Sequence, residues 1–206
     1  MLEGARSHSF GQSYRPTVVD RFRVWLSGRQ IKRWVPSFDG QSVGDFGCGY
    51  HATFARSILP KIRQAVLVDI QLAPDLKADP KINALEGVLP DALAQIPNAS
   101  LDIVLCVSVL EHLWDPVRAL QEFHRIVRPG GVCLFNVPSW KGKRFLEFSA
   151  FRLGLSPASE MNDHKMYYSP QDFWPLLVRA GFIPQDVHCF SHKFSLNTFA
   201  VCRRRA

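Results

Sequence analysis

From residue 41 onward, short apolar runs alternate with amphipathic stretches and turn signals. Gln41–Phe46 reads as a strand, followed by a glycine loop and a helix that runs to Leu59 and is stopped by Pro60. Ala65–Asp69 is a short buried strand, and Ile82–Leu85 is a weaker one. Leu101–Cys106 is nearly all apolar, as a parallel strand covered on both faces must be. Asp115 and Pro116 supply an N-cap and a first helical position. Val117, Leu120, Phe123, Ile126 and Val127 give that helix one buried stripe, and Gly130-Gly131 is expected to end it. Val132–Val137 follows as a fifth strand. Repeated strand–helix–strand units predict an α/β protein with an open, mostly parallel, doubly wound sheet.

The two ends differ from this rhythm. Residues 17–35 place Val18, Phe22, Trp25 and Leu26 on one helical face, with Arg and Lys on the other. The expectation is a helix packed by its apolar face, its basic face in water; peripheral contact with a membrane is the alternative reading. Residues 1–16 are polar and expected to be loosely ordered. Ser169-Pro170-Gln171-Asp172 opens a later helix carrying Phe173, Leu176, Leu177 and Val178 and ending near Gly181. Pro175 predicts a kink or a late start there. Phe182–Phe190 and Leu196–Arg203 read as an antiparallel hairpin closing the sheet edge. Between the fifth strand and the last helix, residues 138–168 form an insertion of the length used for lids and acceptor-binding loops.

Composition narrows the class. A chain of 206 residues, 47% hydrophobic, suits a single domain spanning 1–206 with a substantial core. The net charge of +7 favours an anionic partner or simply a basic surface. Five cysteines without a CxxC pair or zinc spacing fit a reducing, cytoplasmic setting with no metal centre, and Cys106, Cys133 and Cys202 read as small core residues. No apolar run approaches the roughly 20 residues of a membrane span, and the first residues lack the apolar stretch of a signal peptide.

The candidate chemistry begins at Asp45-Phe46-Gly47-Cys48-Gly49-Tyr50-His51-Ala52. Gly47 allows a sharp turn after the strand, and Gly49 lets backbone approach a ligand. The spacing Gly47-x-Gly49-x-x-Ala52 formally fits a dinucleotide fingerprint. That site holds a pyrophosphate, however, and Asp45 at the end of the first strand would repel it. A cationic sulfonium cofactor is favoured over NAD. Asp69, at the end of the second strand, is placed to accept hydrogen bonds from ribose hydroxyls, which both cofactor classes possess.

Asp45–Gly49, Asp69, Ser100-Leu101-Asp102-Ile103-Val104, Val109-Leu110-Glu111-His112-Leu113 and Val127-Arg128-Pro129-Gly130-Gly131 together resemble the class I S-adenosylmethionine-dependent methyltransferases, especially the small kind acting on small-molecule, glycan or lipid-precursor acceptors. The resemblance implies a Rossmann-like, seven-stranded sheet with a C-terminal antiparallel hairpin. It assigns Asp45, Gly47, Cys48 and Gly49 to the methionine end of S-adenosyl-L-methionine, Asp69 with Ile70 to the ribose, Glu86, Gly87 and Val88 to the adenine, and Cys106, Val107 and Ser108 to the floor. His51 stands where the family has a third glycine, and its imidazole is placed to reach the cofactor carboxylate. Val88 stands where an acid is common, leaving Glu86 or Asp91 for the adenine amine.

If the acceptor is a hydroxyl, a general base is needed. His112 and His164 are the leading candidates, with His188 and His192 behind them. Trp140, Tyr167 and Tyr168 are candidate pocket walls, and Lys141, Lys143 and Arg144 candidate contacts for an anionic acceptor. A nucleic-acid acceptor is disfavoured, because Cys106-Val107-Ser108-Val109 is no Asn/Asp-Pro-Pro-Tyr clamp. An NAD(P)-dependent oxidoreductase and a catalytically silent cofactor-binding module are the competing classes.

Overall fold

The computed structural model describes residues 8–12, 18–145 and 164–205. Seven strands form one sheet: β1 (Ser42–Phe46), β2 (Gln64–Asp69), β3 (Ile82–Glu86), β4 (Leu101–Val107), β5 (Val127–Pro138), β6 (Val187–His192) and β7 (Asn197–Arg203). Their order is β3-β2-β1-β4-β5-β7-β6. The first five run parallel, and β7 is antiparallel to both β5 and β6. Strand order therefore reverses between β1 and β4, and at such a switch point the loops diverge and leave a crevice beyond the strand ends.

The sheet is buried on both sides, and the period of two divides its side chains between two cores. Val66, Val68, Val104, Cys106 and Phe135 pack under helices α4 (Pro116–Ile126) and α5 (Pro170–Arg179), against Leu120, Phe123 and Phe173. Ala65, Leu67, Ile103, Leu105 and Leu134 face the other way, toward α1 (Val18–Trp34), α2 (Thr53–Ile58) and α3 (Pro74–Ala78), and meet Ile31, Ile58 and Leu76. Cys106, Cys133 and Cys202 are fully buried. The caps are as the residues dictate: Asp115 accepts the Arg118 N–H, and Ser169 and Asp172 close a capping box that starts α5.

Three elements depart from the sequence pattern. Helix α4 ends at Ile126, and Val127 opens β5 opposite Leu101 instead of completing the helix stripe. Pro129 explains this, since it disfavours helical backbone at Arg128 and offers no N–H. The loop 128–131 then bulges until Val132 pairs with Ile103, while Asp102 holds it through Arg128. The last hairpin begins at Val187, because Pro184–Asp186 form a 3₁₀ turn where a strand was expected.

The third departure is α1. Phe22 and Trp25 are about half exposed, and the helix packs through Ser27, Ile31 and Val35. Trp34 stacks on His188 and Phe190 of β6. Gly28 admits the Phe54 ring, which would lie 3.2 Å from a Cβ there. Residues 8–12, read as loosely ordered, lie against the glycine loop: the Phe10 carbonyl accepts the Tyr50 N–H at 2.9 Å. Of the predicted 138–168 insertion, residues 146–163 lie outside the described residues.

Candidate active site

A cavity of about 540 Å³ opens at the carboxyl ends of β1, β2 and β4. That is an ordinary size for a cofactor pocket. One end is built by the glycine loop. Gly47 has φ +74°, and a Cβ there would stand 2.1 Å from Val109 Cγ2, so only glycine can occupy it. Gly49 has φ +75° and packs beneath Phe10. Ala52, at the third fingerprint position, is itself left-handed with φ 43° and buried, which requires a small residue.

Two carboxylates face this end. Asp45 sits on the central strand between Leu67 and Leu105 and is 6% exposed. Burial pushes its carboxyl up to about 7, and the charge of Asp69 adds to the effect. A cation in the cavity would restore the ionised form, whereas a phosphate would oppose it. Asp69 accepts the Gly49 N–H at 2.7 Å on Oδ2 and the Ile70 N–H at 2.8 Å on Oδ1. The Ser9 hydroxyl also meets Oδ1, sharing its proton with the Gln71 carbonyl at 2.7 Å. Both oxygens are thereby aimed and fixed. The loop, the cationic preference and the ribose-ready carboxylate fit an adenosyl sulfonium.

The opposite end is ionisable. After Val107 the chain turns through Ser108, left-handed at φ 58° with its N–H on the Asn136 carbonyl at 2.7 Å, into the 3₁₀ turn Leu110–His112. The Glu111 carbonyl accepts the Lys165 N–H at 2.7 Å, which brings the returning chain alongside. The rings of His112 and His164 consequently meet edge to face, centroids 4.8 Å apart. His164 Nδ1 lies 3.0 Å from the Tyr167 hydroxyl. Glu111 is 1% exposed. Lys193 reaches in from the β6–β7 turn, where burial lowers its amine to about 7, Arg23 lowers it further, and Glu111 opposes the change. Glu111, His112 and His164 offer one donor atom each within 4.8 Å of one another. Donors around a bound zinc stand closer, about 3 to 3.4 Å apart.

Asp45, Gly47, Cys48, Gly49, Asp69, Ile70, Gly87, Val88, Val107, Ser108, His112 and His164 all line the cavity. Cys106 is fully buried beneath it. Glu86 does not line it; its carboxylate holds Lys77 at 2.6 Å and the Leu72 N–H at 2.8 Å. Asp91 does line it, paired with Arg118 at 3.0 Å. His51 is exposed, and it, His188 and His192 stand outside the cavity lining. So do Trp140, Tyr167, Tyr168, Lys141, Lys143 and Arg144. Trp140 instead donates to Asp172, and Lys143 lies over the Tyr167 ring. Sequence reasoning missed Arg23, Glu111 and Lys193 as cavity residues. Glu111 could have been suspected, since it is an acid beside His112 in an otherwise apolar turn.

The family model described as a methyltransferase domain matches residues 19–185. The chain belongs to this family. Its cofactor is S-adenosyl-L-methionine, and the nicotinamide alternative falls away. Among curated relatives, a probable S-adenosylmethionine-dependent methyltransferase of Mycolicibacterium smegmatis is 28% identical over 71% of this chain and 54% of that protein. A ubiquinone biosynthesis O-methyltransferase of Paracidovorax citrulli is 32% identical over 59% of this chain and 51% of that protein. This methyltransferase chain thus spans little more than half the length of such relatives. A solved methyltransferase from Archaeoglobus fulgidus has the same fold, with a TM-score of 0.65 at 17% identity over 89% of this chain and 96% of that one. A putative methyltransferase solved with its Haloferax volcanii Trm112 activator superposes with a TM-score of 0.68 at 15% identity, covering 90% and 92%.

Proposed function

We propose that this methyltransferase alkylates a hydroxyl oxygen on a small-molecule, sugar or lipid-linked acceptor. One observation carries the reading: a single cavity has a carboxylate-and-glycine end at β1 and β2 and an ionisable end made by Glu111, His112, His164 and Lys193. The first end suits the cofactor and the second suits an acceptor that must lose a proton. The relatives named O-methyltransferases support oxygen as the methylated atom.

S-adenosyl-L-methionine, when bound, supplies an electrophilic methyl on a sulfonium sulfur. Asp45 balances the positive charge of the methionine end, Asp69 orients the ribose, and Gly87, Val88 and Asp91 flank the adenine. His164 takes the hydroxyl proton on Nε2, its Nδ1 held by Tyr167; His112 packs against it and keeps the ring in place. Glu111 favours the protonated form of the histidine pair that results. The aligned acceptor supplies most of the rate, because sulfonium carbon is already activated.

The test is methylation of phenols, sugars and amines with radiolabelled cofactor. His164→Ala is expected to lower kcat roughly a hundredfold on a hydroxyl acceptor and leave cofactor affinity intact. Unchanged kcat, or faster transfer to amines, would refute the assignment.

A further inference from the structure

The exposed face of α1 has no role in the chemistry above. At about 100° per residue, Arg21, Phe22, Trp25, Arg29, Lys32 and Arg33 fall within an arc of about 120°. All six are exposed. The arc carries four cations and no acid. Phe22 and Trp25 are 53% and 54% exposed and stack on each other at 5.8 Å, with the Arg29 guanidinium over Trp25 at the same distance. The β6–β7 turn belongs to a hairpin held against α1, because Trp34 stacks on His188 and Phe190 of β6. Its tip is Phe194, 90% exposed and carried by three successive left-handed residues, Lys193, Phe194 and Ser195.

A helix in water gains nothing from presenting two large aromatic side chains among four like charges. An anionic lipid surface rewards both: aromatic rings settle at headgroup depth and cations pair with phosphates. Nucleic acid also attracts arginine and takes aromatic faces for base stacking; here each ring gives one face to the other and Arg29 lies over Trp25, which leaves less open ring for a base than for a headgroup layer. No helix among the described residues is long and apolar enough to cross a membrane.

We propose that α1 and the β6–β7 turn form a docking face for an anionic bilayer, with Phe22, Trp25 and Phe194 inserted and Arg21, Arg29, Lys32 and Arg33 on the lipid charges. The other side of α1 supplies Arg23, Val24 and Ser27 to the cavity lining. Docking would set α1, which forms one wall of the cavity, against the membrane. The surface stands or falls apart from the transfer chemistry, because it is read without cofactor or acceptor.

The experiment is flotation of the full chain with phosphatidylcholine vesicles, with and without phosphatidylglycerol. Binding is expected only with the anionic lipid and is expected to weaken at roughly 0.5 M salt. Arg29→Glu should reduce partition roughly fivefold or more, and the pair Phe22→Ser and Trp25→Ser at least tenfold, with Phe194→Ser as an independent variant on the turn. Each variant should keep its thermal shift with S-adenosyl-L-methionine, which shows an intact fold and site. Absence of flotation, equal binding to neutral vesicles, or partition untouched by these substitutions would overturn the proposal. So would binding to an RNA or DNA duplex, but not to vesicles, that the same substitutions abolish.

Discussion

Asp45 is where sequence, energetics and function meet in one side chain. A carboxyl on the central strand is desolvated by its neighbours, and its folded value near 7 exceeds the unfolded value of about 4. The folded state therefore holds the extra proton, and stability from this group declines as pH rises from about 4 to 7. At about 1.4 kcal/mol per pH unit the upper figure is about 4 kcal/mol. Asp45→Asn is expected to raise the melting temperature of the ligand-free protein at pH 8. The same substitution should weaken S-adenosyl-L-methionine binding at least tenfold in calorimetric titration. In the wild type, affinity should grow between pH 6 and 8 as Asp45 ionises. A flat pH profile, or an Asn variant of unchanged affinity, would remove Asp45 from the site. Gly47→Ala should cost about 1–3 kcal/mol in denaturant unfolding and abolish cofactor binding, since the added methyl collides with Val109 and the left-handed backbone disfavours alanine.

At the level of elements, each connection places one functional group. The 3₁₀ turn after β4 sets Glu111 and His112, and its carbonyl draws in the segment that carries His164. Residues 8–12 act on the other end by laying the Ser9 hydroxyl on Asp69. On the proposed assignment, ribose hydroxyls at Asp69 would share or displace that contact. Ser9→Ala is expected to change cofactor affinity by about tenfold to a hundredfold, the worth of one hydrogen bond to a charged group, and to lower the melting temperature of the ligand-free protein, which loses the same bond. Fluorescence titration against the wild type reads both the size and the sign. No change would mean that the ribose does not meet this oxygen.

Across the whole molecule, binding is coupled to stability because the cavity is assembled from parts far apart in the chain, from Phe10 to Asn197. S-adenosyl-L-methionine at about 100 times its Kd should stabilise the fold by about 2.7 kcal/mol and raise the melting temperature by a few degrees. NAD at equal concentration should leave it unmoved. A thermal-shift assay gives both outcomes.

Much of this was legible before any coordinates. Hydrophobic runs of strand length, the Asp115 and Ser169 caps and the glycine spacing are local signals, and local backbone energetics made them good. Their misreadings were equally local. Val127 fits a helix stripe by period, yet Pro129 and the pairing with Leu101 claim it for β5. Phe22 and Trp25 have the spacing of a buried face, but α1 turned that face outward, because Ile31, Val35 and the close approach at Gly28 secure the helix from its other side.

The sequence alone determined the alternating α/β order and the glycine loop with its preceding acid, and through them favoured an adenosyl-sulfonium cofactor over a dinucleotide. These follow from residues near one another in the chain, where spacing is geometry. Only the tertiary structure decided that Glu86 is spent on Lys77 and Leu72, that Glu111, His112, His164 and Lys193 share one cavity, and that α1 faces outward with its aromatics. Those outcomes depend on which strands become neighbours and which side chains compete for the same partner, and that competition is resolved when the sheet closes.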